Sequence, residues 1–209
     1  MNESGSWGWP ALLLLGAYHG INPGMGWLFA VALGMQEQRR AAVVWSLVPI
    51  TLGHSLAIAV AVAIASAVGM VASPGHLKLI VAAVLFAIGG YRFFRHRHPK
   101  GGGMRVGFRD LTFWSFLMAS AHGAGVMVLP VLFGLSAGEH AGHSTGAQSL
   151  RSASLAVGVH TAGYLAVTAL VAAIVYEKVG LAVLRKAWVN LDLIWSGALV
   201  LTGLLTLVI

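Results

Sequence analysis

Apolar residues run along this chain in long blocks separated by short polar connections. About 20 residues are needed to cross a bilayer as a helix, and on that measure the blocks predict six spans, at 7–35, 41–72, 76–95, 109–135, 149–176 and 188–209. The connection "HPKGGGMRVG" has the glycine run and charge of a flexible linker and divides them three and three. Residues 1–95 therefore form a first three-span repeat, 96–108 a cytoplasmic linker and 109–209 a second three-span repeat.

The two halves echo each other. "AYHGINPGM" in the first span matches "SAHGAGVM" in the fourth, "LGHSLAIAV" in the second matches "GVHTAGYLAV" in the fifth, and "AAVLFAIGG" in the third matches "SGALVLTGL" in the sixth. Three spans per half is an odd number, so the second copy enters the membrane inverted, the plan of many secondary transporters. The predicted fold class is thus an all-α polytopic membrane protein of six transmembrane helices in an inverted 3+3 repeat. Pro23 lacks a backbone donor and its glycine neighbours are poor helix-interior residues, so the first span is expected to break near Asn22–Gly24. The fourth span has the glycines, but its proline, Pro130, comes later.

Composition agrees with this pattern: 58% of the 209 residues are hydrophobic, 9% are charged, and the mean hydropathy is +0.83. "MNESGSWGWPALLLL" opens with an acid and no base, so the first block is read as a retained span rather than a signal peptide. The chain contains no cysteine, which excludes disulfides, thiolate metal sites and thiol redox relays. Its net charge of +7 is concentrated in alternate connections, at Arg39, Arg40, Arg92, Arg95, Arg97, Lys100, Arg105, Arg109, Lys178, Arg185 and Lys186. The opposite side keeps Lys78 and Arg151. By the positive-inside rule this predicts a cytoplasmic (inner) membrane protein with both termini non-cytoplasmic, and it reports topology rather than nucleic-acid binding. Trp7, Trp9, Trp27, Trp45, Trp114 and Trp188 fall mostly near predicted span ends, where interfacial anchors sit.

Counting about 1.5 Å per residue from the span ends brings His19, His54, His122 and His160 to one depth near mid-membrane, at matching places in the two halves. An imidazole faces acyl chains only at high cost, so each turns toward a partner or a wet cavity. Asn22 follows His19 by three, Thr51 precedes His54 by three and Tyr164 follows His160 by four, which places each pair on one helix face. Small residues around them, such as Gly20, Gly53 and Gly163, predict close helix packing. The expected substrate-binding set is His19, Asn22, His54, His122 and His160. The expected metal set is His19, His54, His122 and His160, with Met25 and Met127 as soft thioether ligands. For any single one of these histidines, a purely structural hydrogen-bonding role competes with this reading.

Other candidates carry less. Asp192 lies near the start of the sixth span, where it caps or snorkels or guards an entrance. Glu139, His140 and His143 in "SAGEHAGHSTGAQS" read as a solvated loop or a metal-gathering one, and His96 and His98 as cytoplasmic surface among bases. The sequence holds no HExxH, no phosphate-cradling glycine loop, no carboxylate pair and no Ser/His/Asp grouping, so it is not read as an enzyme.

At "HGINPGM" and its echo "AHGAGVM" the sequence resembles the lysine-exporter-like transporter superfamily. That superfamily includes the nickel/cobalt-efflux and cadmium-resistance families, a urease-accessory-like membrane domain and the membrane domain of thiol-disulfide transporters. The resemblance covers the whole chain in plan and the first and fourth spans in motif, and is closest in plan to the nickel/cobalt-efflux and urease-accessory-like proteins. His19 matches their first-span histidine and Pro23 their proline, while Asn22 stands where an acid is expected. The thiol-transfer branch's cysteines are absent, so that activity does not carry over. The resulting expectation is a secondary transporter of a small cation, a transition-metal ion such as nickel, cobalt, zinc or copper, with export the direction that fits the resemblance. Two alternatives stay open: an amino-acid or other small-solute exporter, and a noncatalytic membrane subunit binding a cofactor such as haem or a partner. The partners expected are the lipid bilayer and a small ion or solute, not nucleic acid, with a homo-oligomer or membrane-complex partner left open.

Overall fold

The computed structural model describes residues 7–69, 74–94, 107–138, 146–179, 197 and 199–207. Glu139, His140, His143, His96, His98, Asp192, Trp188 and most of the linker lie outside the described residues. Among the described residues all regular structure is helical, with no strand.

Helix α1 runs Gly8–Ile21, with Pro10 in its first turn, where a missing N–H costs nothing. It ends where the sequence requires it to. Pro23 disfavours helical geometry in the residue before it, and Asn22 is extended, with ψ 121°. Its Oδ1 accepts from the Gly24 N–H at 2.9 Å and caps a single 3-10 turn, Pro23–Met25. Gly26 then takes φ 141°, open to glycine almost alone, and α2 continues as Trp27–Glu37. The expected break near Asn22–Gly24 is therefore present. Asn22 leaves the helix there, so it does not share a helical face with His19. Trp27, expected at an interface, is buried at the break, where its Nε1–H donates to the Ile21 carbonyl at 2.8 Å. That carbonyl is one of the orphans a helix end creates.

The uninterrupted α3 spans Arg40–Gly69, 30 residues or about 45 Å. Next comes α4, Pro74–Phe94, followed by α5, Phe108–Ala121, and α6, Ala124–Gly138. A 60° bend separates α5 from α6. It lies at His122–Gly123, where Gly123 adopts φ 72° and a Cβ would come within 2.8 Å of Leu199. Pro130 sits inside α6 without interrupting it, so the glycine, not the proline, makes the second break. Helix α7, Gly146–Ile174, closes in a π-helical turn, Val175–Val179. Residues 199–207 are helical.

Two helix pairs dominate the packing: α1 lies along α7, and α3 along α5. Small residues set how closely they approach. A Cβ on Gly16 would overlap the His160 carbonyl, one on Gly163 the Leu13 carbonyl, and one on Gly53 the Thr112 carbonyl. Helices α3 and α7 also contact each other and join the two pairs. Arg40, at the start of α3, meets Glu177, just past α7, at 3.5 Å. The start of α3 and the π-helical turn after α7 therefore lie side by side.

Polarity is distributed inside out relative to a water-soluble bundle. Val44, Ile64, Phe113 and Leu170 are exposed, whereas His19, His54 and His160 are fully buried. Among the described residues two helices are long and apolar enough to cross a membrane, Arg40–Gly69 and Leu150–Lys178, and the bent pair α5–α6 makes a third if it is one span.

Candidate functional site

Three histidines from three helices meet in the core. His19 comes from the last turn of α1, His54 from the middle of α3 and His160 from the middle of α7. Their ring centroids are 5.0 Å apart for His19 and His160, 5.7 Å for His19 and His54, and 5.6 Å for His54 and His160. The Nε2 atoms of His54 and His160 approach to 3.4 Å, with the two planes within 6° of parallel.

Backbone geometry fixes part of the proton inventory. His19 Nδ1 lies 2.7 Å from the Leu15 carbonyl, which can only accept, so Nδ1 carries the hydrogen and the neutral ring's lone pair is on Nε2. His54 Nδ1 is buried without a hydrogen-bond partner. One face of His54 is covered by Tyr164, whose ring stacks at 3.7 Å and 7°. Tyr164 also donates its hydroxyl hydrogen to the carbonyl of Met25 in the 3-10 turn.

The fourth histidine occupies the second break. His122 caps α5 and its Nδ1–H donates to the Met118 carbonyl at 2.7 Å, the same distance and the same four-residue step as His19 to Leu15. It faces the first break from the other side: a Cβ placed on Gly24 would lie 3.3 Å from Asn22 Oδ1, 3.4 Å from the Met118 methyl and 3.8 Å from His122 Cε1. Of the expected set, then, ring contacts bind His19, His54 and His160 into one group, while Asn22 and His122 flank Gly24. Met25 is buried and offers Tyr164 its carbonyl, and Met127, also buried, lies in the first turn of α6 with its N–H on the Gly123 carbonyl.

Two nitrogens bound about 2.0–2.1 Å from a zinc-sized ion at a tetrahedral angle stand about 3.4 Å apart, which is the spacing of His54 and His160. Ring orientation differs: with Nε2 atoms 3.4 Å apart, centroids 5.6 Å apart and planes within 6°, the two rings meet edge to edge, so each in-plane nitrogen aims at the other rather than at an ion to one side. Among the described residues no group of three His, Asp or Glu side chains has the arrangement of a metal-ion site. Capture of an ion between these rings requires one of them to turn. Helical spacing already placed Tyr164 on the His160 face, but its stack on His54 joins two distant helices and left no trace in the sequence.

Comparison of the chain with protein-family models, with curated proteins and with solved structures finds no match.

Proposed function

We propose that this chain is a membrane-embedded secondary transporter of a small cation, a transition-metal ion of the nickel, cobalt, zinc and copper group, bound transiently by His19, His54 and His160. The observation that carries the reading is the meeting of three fully buried imidazoles from three helices, two of them with nitrogens at the edge length of a tetrahedral site. Buried polar groups of this kind in an apolar helical chain mark ion or proton pathways more readily than they mark packing. Imidazoles without a carboxylate bind weakly, and weak binding suits release on the far side.

The breaks at Asn22–Gly26 and His122–Gly123 support the duplicated plan, each following a histidine bonded four residues back. The packing supports it too: exchanging first-half for second-half elements turns the pair α1–α7 into α5–α3. On this reading the chain has six spans in an inverted 3+3 arrangement in the inner membrane, with both termini non-cytoplasmic, as in the lysine-exporter-like superfamily it resembles. Irregular backbone at membrane depth is tolerated where it lines a path. His122, Asn22 and Met118 around Gly24 are then the next station beyond the three rings.

Cobalt uptake into proteoliposomes tests the reading. Wild-type protein is expected to accumulate cobalt, and His54→Ala and His160→Ala to abolish accumulation. Unchanged uptake in both variants overturns the assignment.

A further inference from the structure

A cation held by three neutral imidazoles has no anion to balance it. Of the acids among the described residues, Glu37, Asp110 and Glu177 are all exposed near helix ends rather than set among the buried rings. Tyr18 meets His19 at 6.3 Å with its ring 81° away, whereas Tyr164 lays its electron-rich face flat against the imidazole group. That ring is fully buried, lies 3.7 Å from the His54 ring centroid and is parallel to it within 7°. An aromatic face attracts a neighbouring positive charge, and does so most strongly where water is excluded. The hydroxyl of the same side chain grips the carbonyl of Met25 inside the break. One residue on α7 thus touches both the imidazole group and the irregular segment of the first helix.

We propose that Tyr164 is a specificity-determining residue of the cation site, its ring compensating the charge that a bound ion places on His54 and its hydroxyl holding the first-helix break against the site. The inference rests on the cation reading above. An ion bound at Nε2 draws electron density from the His54 ring, a divalent ion more than a monovalent one, and the stacked face stabilises the charged state in proportion. Selectivity between divalent and monovalent soft ions is therefore set by the ring. The hydroxyl instead sets how firmly residues 22–26 are held.

The test uses the full chain in lipid nanodiscs titrated with Co2+ and with Ag+. Position 164 carries tyrosine, phenylalanine (Tyr164→Phe) or trifluorophenylalanine, which keeps the shape of the ring while withdrawing its electron density. Co2+ affinity is expected to change less than about threefold in Tyr164→Phe and to fall about tenfold on fluorination, whereas Ag+ affinity falls less than about threefold. Amide exchange at residues 24–26 is expected to quicken about tenfold in Tyr164→Phe, since the carbonyl has lost its donor. Because all three side chains fill the same space, a Co2+ affinity indifferent to fluorination overturns the proposal, as does an equal loss for both ions. His54→Ala and His160→Ala run alongside. If they bind Co2+ like wild type, the cation reading itself fails; if they lose binding while fluorination has no effect, only the role of Tyr164 fails.

Discussion

His54 Nε2 and His160 Nε2 stand 3.4 Å apart across 106 positions of sequence. Two neutral imidazoles at that distance are held together only when one nitrogen carries the hydrogen and the other the lone pair. The rings therefore act as a unit, and their substitutions are expected not to add. Either single alanine variant should lower Co2+ affinity at least about tenfold, with the double variant less than about threefold worse than the weaker single, since neighbours in one network couple. Isothermal titration of the three variants measures this.

Acid should release the ion. A proton and a metal ion compete for the lone pair of the neutral imidazole, so binding weakens as pH falls. Cobalt affinity is expected to fall as pH is lowered and to recover on return, followed by titration down to the lowest pH at which the helices stay folded. An affinity independent of pH over that whole range would place the ion elsewhere.

Gly26 is a costlier positive-φ glycine to replace than Gly123. At φ 141° an L side chain is strained, and its Cβ would also overlap Ile50 Cγ2. Gly26→Ala should destabilise by on the order of 2–3 kcal/mol. Gly123→Ala, in the milder left-handed region, should cost about 1–2 kcal/mol. Thermal unfolding in detergent, followed by circular dichroism, ranks the two.

Trp27 closes the first break through its Nε1–H on the Ile21 carbonyl. Trp27→Phe keeps a ring in the buried site but leaves that carbonyl without its donor, for an expected loss of about 1–2 kcal/mol. An exposed interfacial tryptophan would make no such difference, so Trp45→Phe, at a residue 72% exposed, is the control.

The Arg40–Glu177 contact places the start of α3 beside the turn that follows α7, so the proposed topology needs both on one side of the membrane. Both partners are exposed, so the ion pair itself should contribute no more than about 1 kcal/mol, but its geometry is decisive. The chain has no cysteine of its own, so Arg40→Cys with Glu177→Cys should be joined by a thiol-specific cross-linker as long as the two side chains it replaces. A membrane-impermeant maleimide should reach both positions from the cytoplasmic side of inverted vesicles, and Arg151→Cys from the opposite side. Labelling of Arg40→Cys and Arg151→Cys from one side would contradict the proposed topology.

The break in the first helix was legible because Pro23 acts through covalent structure alone: it lacks an N–H and restrains Asn22 whatever surrounds them. The second break was less so, since Gly123 only permits a left-handed turn and Pro130 proved harmless inside α6. Trp27 misled for a related reason. A tryptophan near a span end anchors at an interface by default, and only the location of the orphan Ile21 carbonyl made it an internal donor.

Sequence by itself determined where the apolar lengths begin and end, that the buried imidazoles face inward, and that the first helix cannot run straight. Each follows from local chemistry or from the cost of placing a polar group in a greasy surround. Tertiary structure alone decided that His19, His54 and His160 meet while His122 lies across Gly24, and that Tyr164 covers His54. Those outcomes depend on where helices cross, and the crossing points are set by backbone contacts at Gly16, Gly53 and Gly163 with partners far away in the chain.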